Sequence, residues 1–138
     1  MKGIFLDTNI VVDLLAGREG AFSCARILSD AKKKSIVVYV SVLTMVNIAY
    51  ILRKTLKGEN FYDALEKLGR YVNVCGETAD DYKAALQMRS DDFEDAVQYQ
   101  CAFRNNVDLI ITNNLKDFVF SEIAVVKPDE AISLIENL

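Results

Sequence analysis

The chain of 138 residues contains no histidine at all. That absence removes the Ser-His-Asp and Cys-His nucleophile systems, the histidine zinc sites and the usual general base. Any hydrolytic chemistry has to run on carboxylates, with or without a metal. The three cysteines, Cys24, Cys75 and Cys101, form no CxxC and are odd in number, which reads as free buried thiols rather than disulfides or a zinc site. One proline and an apolar content of 51% exclude a linker-rich or disordered chain. No apolar run approaches a bilayer span and no signal-peptide pattern opens the sequence, so the expectation is a cytoplasmic protein with no membrane partner. Excess positive charge is also missing: 16 basic against 20 acidic residues leave −4, which does not advertise a nucleic-acid binder. Arg26 with Lys32-Lys33-Lys34, and Arg53-Lys54 with Lys57, are candidates for a local basic face, or equally the solvated basic ends of helices.

What the chain does have is one apolar stretch running into an acid, Gly3-Ile4-Phe5-Leu6-Asp7-Thr8-Asn9-Ile10. Ile4-Phe5-Leu6 is too short and too uniformly apolar for a half-exposed strand, which predicts a buried strand of a parallel sheet. Asp7 then stands at the C-terminal strand end, the edge where open α/β sheets hold their ligands. Thr8 or Asn9 can cap a helix through Val11, Val12, Leu14 and Leu15. Asp7 itself has two readings, a ligand-holding acid and a plain helix cap, and this stretch alone does not separate them.

Further along, Gly17 to Gly20 reads as a turn and residues 21–34 as a helix. Ile36 to Val40 is β-branched and aromatic, a second buried strand, and Ser41 is a good N-cap for a helix through about Leu56. That helix is apolar around nearly its whole circumference, so it is expected both as a core helix and as part of a subunit interface. An amphipathic helix over 60–70 and a short strand over 71–75 come next, then a helix from Thr78 to Met88 and one over 91–105 opened by Ser90. Leu109-Ile110-Ile111 is a fourth buried strand, Ile123 to Val126 a short fifth, and Pro128 starts a closing helix. Alternating strands and helices predict an α/β domain with a mainly parallel sheet, and no repeat or linker divides residues 1–138.

Three polar clusters occupy comparable positions: Asp7-Thr8-Asn9, Asp91-Asp92-Phe93-Glu94-Asp95, and Thr112-Asn113-Asn114 with Asp117. The C-terminal strand ends of a parallel sheet share one edge, so the first and third can meet there. Asp92 and Asp95, spaced i and i+3, fall on one helical face. Acids in a first helical turn are also explained by the free N–H groups there, and Asp91 with Glu94, or Ser90 with a neighbour, makes a plausible capping pair. Four acids in five residues nevertheless exceed what capping needs. Two unit charges about 4 Å apart near a surface repel by ~4 kcal/mol, so gathering Asp7, Asp92 and Asp95 calls for a cation. Oxygen-only ligands favour Mg²⁺ or Mn²⁺, which would replace the missing histidine base by lowering the pKa of a water and polarising a phosphate.

These residues resemble the PIN domain. The resemblance is carried by Asp7-Thr8-Asn9-Ile10, by the run Ser41-Val42-Leu43-Thr44-Met45-Val46-Asn47, by Asp92-Phe93-Glu94-Asp95-Ala96-Val97-Gln98, and by Ile111-Thr112-Asn113-Asn114-Leu115-Lys116-Asp117-Phe118. It covers nearly the whole chain in order. It implies a three-layer α/β/α sandwich around a five-stranded, mainly parallel sheet, and a Mg²⁺- or Mn²⁺-dependent endoribonuclease acting on single-stranded RNA. It also implies a homodimer and, for many small members, the toxin of a toxin–antitoxin pair with an antitoxin protein as partner. By this resemblance Asp7 and Asp95 are the principal acids. Asn47 stands where the family usually presents a Glu, and Asn114 where it often has an Asp. An amide brings no charge and cannot be a general base. A subset of the family that couples an Asn-containing helix with the Asp-Phe-Glu-Asp run resembles this chain most.

The expectation is therefore a metal-dependent ribonuclease in which Asp7, Asp92 and Asp95 are the catalytic acids and, with Asp117, the metal ligands. Glu94, Asn114 and Asn47 would support them, with Asn9 and Thr112 orienting the acids or contacting phosphate. The rival is a catalytically silent PIN fold serving as an RNA-binding or protein-interaction module. A phosphate-accepting receiver domain would want a Lys soon after a late strand, and only Lys116 follows Ile111 closely.

Overall fold

A computed structural model describes all of residues 1–138. Five strands, β1 (Gly3–Leu6), β2 (Val37–Ser41), β3 (Asn73–Cys75), β4 (Leu109–Ile111) and β5 (Ala124–Val126), form one sheet in the order β3-β2-β1-β4-β5, and every pairing is parallel. Seven helices connect them: α1 (Thr8–Ala16), α2 (Ala21–Lys33), α3 (Val42–Ile51), α4 (Glu59–Leu68), α5 (Ala79–Met88), α6 (Phe93–Arg104) and α7 (Pro128–Glu136). A single 3₁₀ turn, Leu115–Phe118, follows β4.

The period-2 alternation of β1 divides the core into two layers. Ile4 and Leu6 face one side, among residues of α1, α2, α3 and α7, while Phe5 faces the other with Ile110, Tyr99 and Phe118. All three β1 side chains are fully buried, each contributing roughly 1.5–3 kcal/mol of hydrophobic stabilisation. The result is the expected α/β/α sandwich. Because β2 lies on one flank of β1 and β4 on the other, the chain reverses its direction of winding beside β1. The C-terminal ends of β1 and β4 therefore border the crevice where such sheets place ligands.

Several boundaries differ from the sequence reading. α3 stops at Ile51 rather than near Leu56. The Arg53 guanidinium stacks over the Tyr50 ring and donates to the Tyr50 carbonyl at 2.7 Å, the acceptor that the residue 54 N–H would need to continue the helix. Within α3 only Thr44 and Ile48 are buried, whereas Val42, Val46, Tyr50 and Ile51 are exposed, so the core role belongs to one narrow side. The acid-rich helix starts at Phe93, capped by Asp92 rather than opened by Ser90. Ser90 instead turns the approach, its hydroxyl accepting from the Asp92 N–H at 3.2 Å. Cys75 and Cys101, distant in sequence, bring their free thiols to 3.1 Å.

In the first basic cluster, Arg26 and Lys34 tie helix ends together. Arg26 bridges Asp30 and Glu136, and Lys34 donates to the carbonyls of Glu136 and Leu138, which fastens α7 to α2. No helix is long and apolar enough to cross a membrane.

Candidate active site

Asp7 is both of the things its sequence context allowed. It is the N-cap of α1, its Oδ1 accepting from the Thr8 N–H at 2.7 Å. Its Oδ2 turns the other way, accepting from the Thr112 hydroxyl at 2.8 Å and from Asn9 Nδ2 at 3.0 Å. Thr112 reaches it because Leu6 and Ile111 are partners in the β1–β4 register and the Asp7 N–H donates to the Ile111 carbonyl. Asn9 also donates to the Thr112 hydroxyl, and its own carbonyl oxygen accepts the Asn113 N–H. Asn9 and Thr112 thus lock one carboxylate rotamer at the seam of the sheet.

Around Asp7 opens a cleft of about 300 Å³ lined by Thr8, Asn9, Arg18, Asp92, Glu94, Asp95 and Asp117, among others. Asp95 comes from the first turn of α6 and is 7% exposed. Burial, then the charges of Asp7, Asp92 and Asp117, push its carboxyl up to about 8. Burial likewise raises Asp7, against the hydrogen bonds from Thr112 and Thr8, and the charges of Asp117 and Glu94 add to the rise. Asp92 is the N-cap of α6 with its Oδ1 on the Asp95 N–H at 3.1 Å, so it reaches the cleft from outside the helix rather than from a shared helical face. Asp117 arrives on the 3₁₀ turn after β4.

Not every expected residue joins them. Asn114 does not line the cleft, and its backbone N–H is held by the Thr112 hydroxyl at 3.1 Å. Asn47 does not line it either; it touches the cleft through Glu94, to whose Oε1 it donates at 3.3 Å. Asp91 lies outside, exposed.

Sequence reasoning missed a buried polar chain behind the acids. Gln98, fully buried, donates through Nε2 to Thr8 Oγ1 and to Glu94 Oε1, both at 3.3 Å, and accepts from the Thr44 hydroxyl at 3.2 Å. Thr44 meets Thr8 at 2.8 Å and Ser41 at 3.3 Å. The available signal was Gln98 itself, a polar residue one turn beyond the acids on the inner side of α6. Arg18, the only cation lining the cleft, gave no signal at all.

Chemically, the donors are all oxygen and the acids repel one another, which suits a hard divalent cation and no softer metal. No group of three His, Cys, Asp or Glu side chains is gathered at ligating distance as the side chains stand.

The fold has known counterparts, while no curated protein sequence matches the chain. It is similar to the VapBC2 of Rickettsia felis solved with a promoter DNA fragment, at 17% identity and TM-score 0.69 over 91% of this chain and 98% of that one. A toxin–antitoxin complex from Klebsiella pneumoniae gives 22% and 0.68, over 91% and 97% of the two chains. VapC20 of Mycobacterium tuberculosis, a sarcin-ricin loop cleaving toxin, gives 21% and 0.66, over 88% and 98%. At these identities the likeness establishes the fold. The family rests on a model of the PIN domain that matches residues 3–116, a span holding both strands of the seam and every acid of the cleft except Asp117, and on that match the chain belongs to the PIN domain family.

Proposed function

We propose that residues 1–138 act as one PIN-type domain, a cytoplasmic endoribonuclease that cuts single-stranded RNA with Mg²⁺ or Mn²⁺ and serves as the toxin of a toxin–antitoxin pair. The observation that carries this reading is the raised pair Asp7 and Asp95 in one cleft with Asp92, Glu94 and Asp117. Acids raised in this way cluster at functional sites. The family membership and the toxin–antitoxin character of the similar structures support the same direction.

Asp7 and Asp95 would hold the ion, with Asp92 and Asp117 joining directly or through water. A divalent ion bound there supplies Lewis-acid polarisation of a phosphate oxygen and a water of lowered pKa. The chain's own part is positional. Thr112 and Asn9 keep Oδ2 of Asp7 facing the seam, and the Thr8 N–H holds Oδ1. Arg18, placed on the same cleft, is the group that would meet the negative phosphate and offset the acids around it. The test is cleavage of RNA with Mn²⁺ or Mg²⁺ by the wild type, Asp7→Asn and Asp95→Asn. Activity confined to the wild type is expected; equal activity in all three overturns the reading.

One observation favours the alternative of a silent module that binds RNA or protein: Asn47 offers no charge from α3 and Asn114 stands outside the cleft. Calorimetric titration with Mn²⁺ separates the two, since a silent module has no reason to bind the ion tighter than millimolar. We also propose a homodimer through the exposed apolar residues of α3, and an antitoxin protein as partner.

A further inference from the structure

Asn47 and Glu94 occupy facing positions on α3 and α6, and one is the hydrogen-bond donor to the other. We propose that Glu94 supplies from α6 the carboxylate that Asn47 does not supply from α3, and that Asn47 and Gln98 are positioning residues that hold it at the cleft. The proposal rests on the metal-dependent ribonuclease reading and specifies which residues complete that site.

Two observations carry it. First, the two amide donors, Asn47 Nδ2 and Gln98 Nε2, both land on Oε1 of Glu94 at 3.3 Å. Oε2 receives no protein donor, so one oxygen is anchored and the other is left for the cleft that Glu94 lines. A carboxylate serving only to balance the N-terminus of a helix has no need of two amide props. Second, the Gln98 prop is itself held in place. Gln98 is fully buried, and the Thr44 hydroxyl on its carbonyl oxygen fixes which way its amide faces. Its Nε2 then ties Glu94 to Thr8, whose N–H holds Asp7, so Asp7 and Glu94 are two ends of one hydrogen-bonded chain.

The arrangement also explains the amide on α3. A Glu at position 47 would set a second carboxylate against Oε1 of Glu94, where like charges repel and only the Gln98 donor would remain. An acid at 47 and an acid at 94 are alternatives, and the site keeps the one on α6.

The experiment is Mn²⁺ calorimetry together with thermal unfolding of the metal-free protein, for the wild type, E94Q and the exchange N47E/E94Q. Glu94→Gln keeps an oxygen to accept from Asn47 and Gln98 but loses the charge. The expected result is Mn²⁺ affinity weakened at least about tenfold in E94Q with no fall in metal-free Tm, and recovered in the exchange along with RNA cleavage. Wild-type affinity in E94Q overturns the proposal, and so does a loss that the exchange leaves in place. A lower metal-free Tm with unchanged affinity would make Glu94 a strut between helices and overturns it equally. A wild type that binds no Mn²⁺ overturns the ribonuclease reading itself, a failure visible before any variant is compared.

Discussion

Thr112 donates its hydroxyl to Oδ2 of Asp7 at 2.8 Å across the seam of β1 and β4, joining residues 105 positions apart. This bond opposes the rise that burial imposes on Asp7. Thr112→Val keeps the shape and removes the donor. Asp7 is then expected to titrate higher, so the acid limb of the pH–rate profile moves to higher pH. The buried acceptor that loses its partner should also cost about 1–3 kcal/mol of stability. An unmoved acid limb, read from kcat/KM against pH, would mean that Asp7 does not govern it.

Asp95 gives a prediction for the metal-free protein. Its folded carboxyl titrates at about 8, far above the ordinary aspartate of the unfolded chain. Between those values the folded state binds more protons than the unfolded state, so stability falls as pH rises and levels off above the folded value. Asp95→Asn removes the charge. It should flatten that slope and exceed the wild type in stability at pH near 9 by at least about 1.4 kcal/mol, the equivalent of a single pKa unit. Urea unfolding with a chelator present, across the pH range, measures it. Adding Mn²⁺ should restore wild-type stability and leave Asp95→Asn little changed.

Asp81 is the opposite case. Burial alone would raise it, but hydrogen bonds from Arg104 and from the Thr78 N–H outweigh that and hold it low. The stabilisation is present above the unfolded aspartate value and is lost as pH falls through the lower folded one. Asp81 also completes a capping box with Thr78 at the start of α5, while Arg104 anchors the far end of α6. Asp81→Ala is expected to cost about 1–2 kcal/mol near neutral pH. The loss should shrink in acid, with Mn²⁺ affinity intact. A loss that is independent of pH would show that charge plays no part.

The exposed face of α3 yields an association prediction. Val46 and Tyr50, at 63% and 68% exposure, lie four residues apart on one side of the helix. Val46→Asp should convert a dimer at tens of micromolar into a monomer by light scattering, with Tm of the monomer preserved. A wild type that is already monomeric at that concentration removes the interface.

Much of this molecule was legible in the sequence because the features that identify it are local. Ile4-Phe5-Leu6 and Leu109-Ile110-Ile111 are runs that only a doubly covered strand can bury, and Ser41, Thr78 and Pro128 start helices by chemistry confined to one turn. The absence of histidine alone removed every histidine-based catalytic system. The spacing of the acids pointed to Asp7, Asp92 and Asp95 as candidates, and the fold brings all three to one cleft.

The tertiary structure decided which polar residues work together, because that depends on strand order and not on spacing along the chain. The β1–β4 pairing brings Thr112 to Asp7, and the packing of α6 beside α1 and α3 brings Gln98 and Glu94 to Thr8, Thr44 and Asn47. It also placed Asn114 outside the cleft and made Asp92 a cap as well as a lining residue. A helix cap and a cleft acid look the same in sequence, since both need a carboxylate at a helix start. Asp7 is both, and only the direction of its second oxygen, fixed by a strand more than a hundred residues away, shows it.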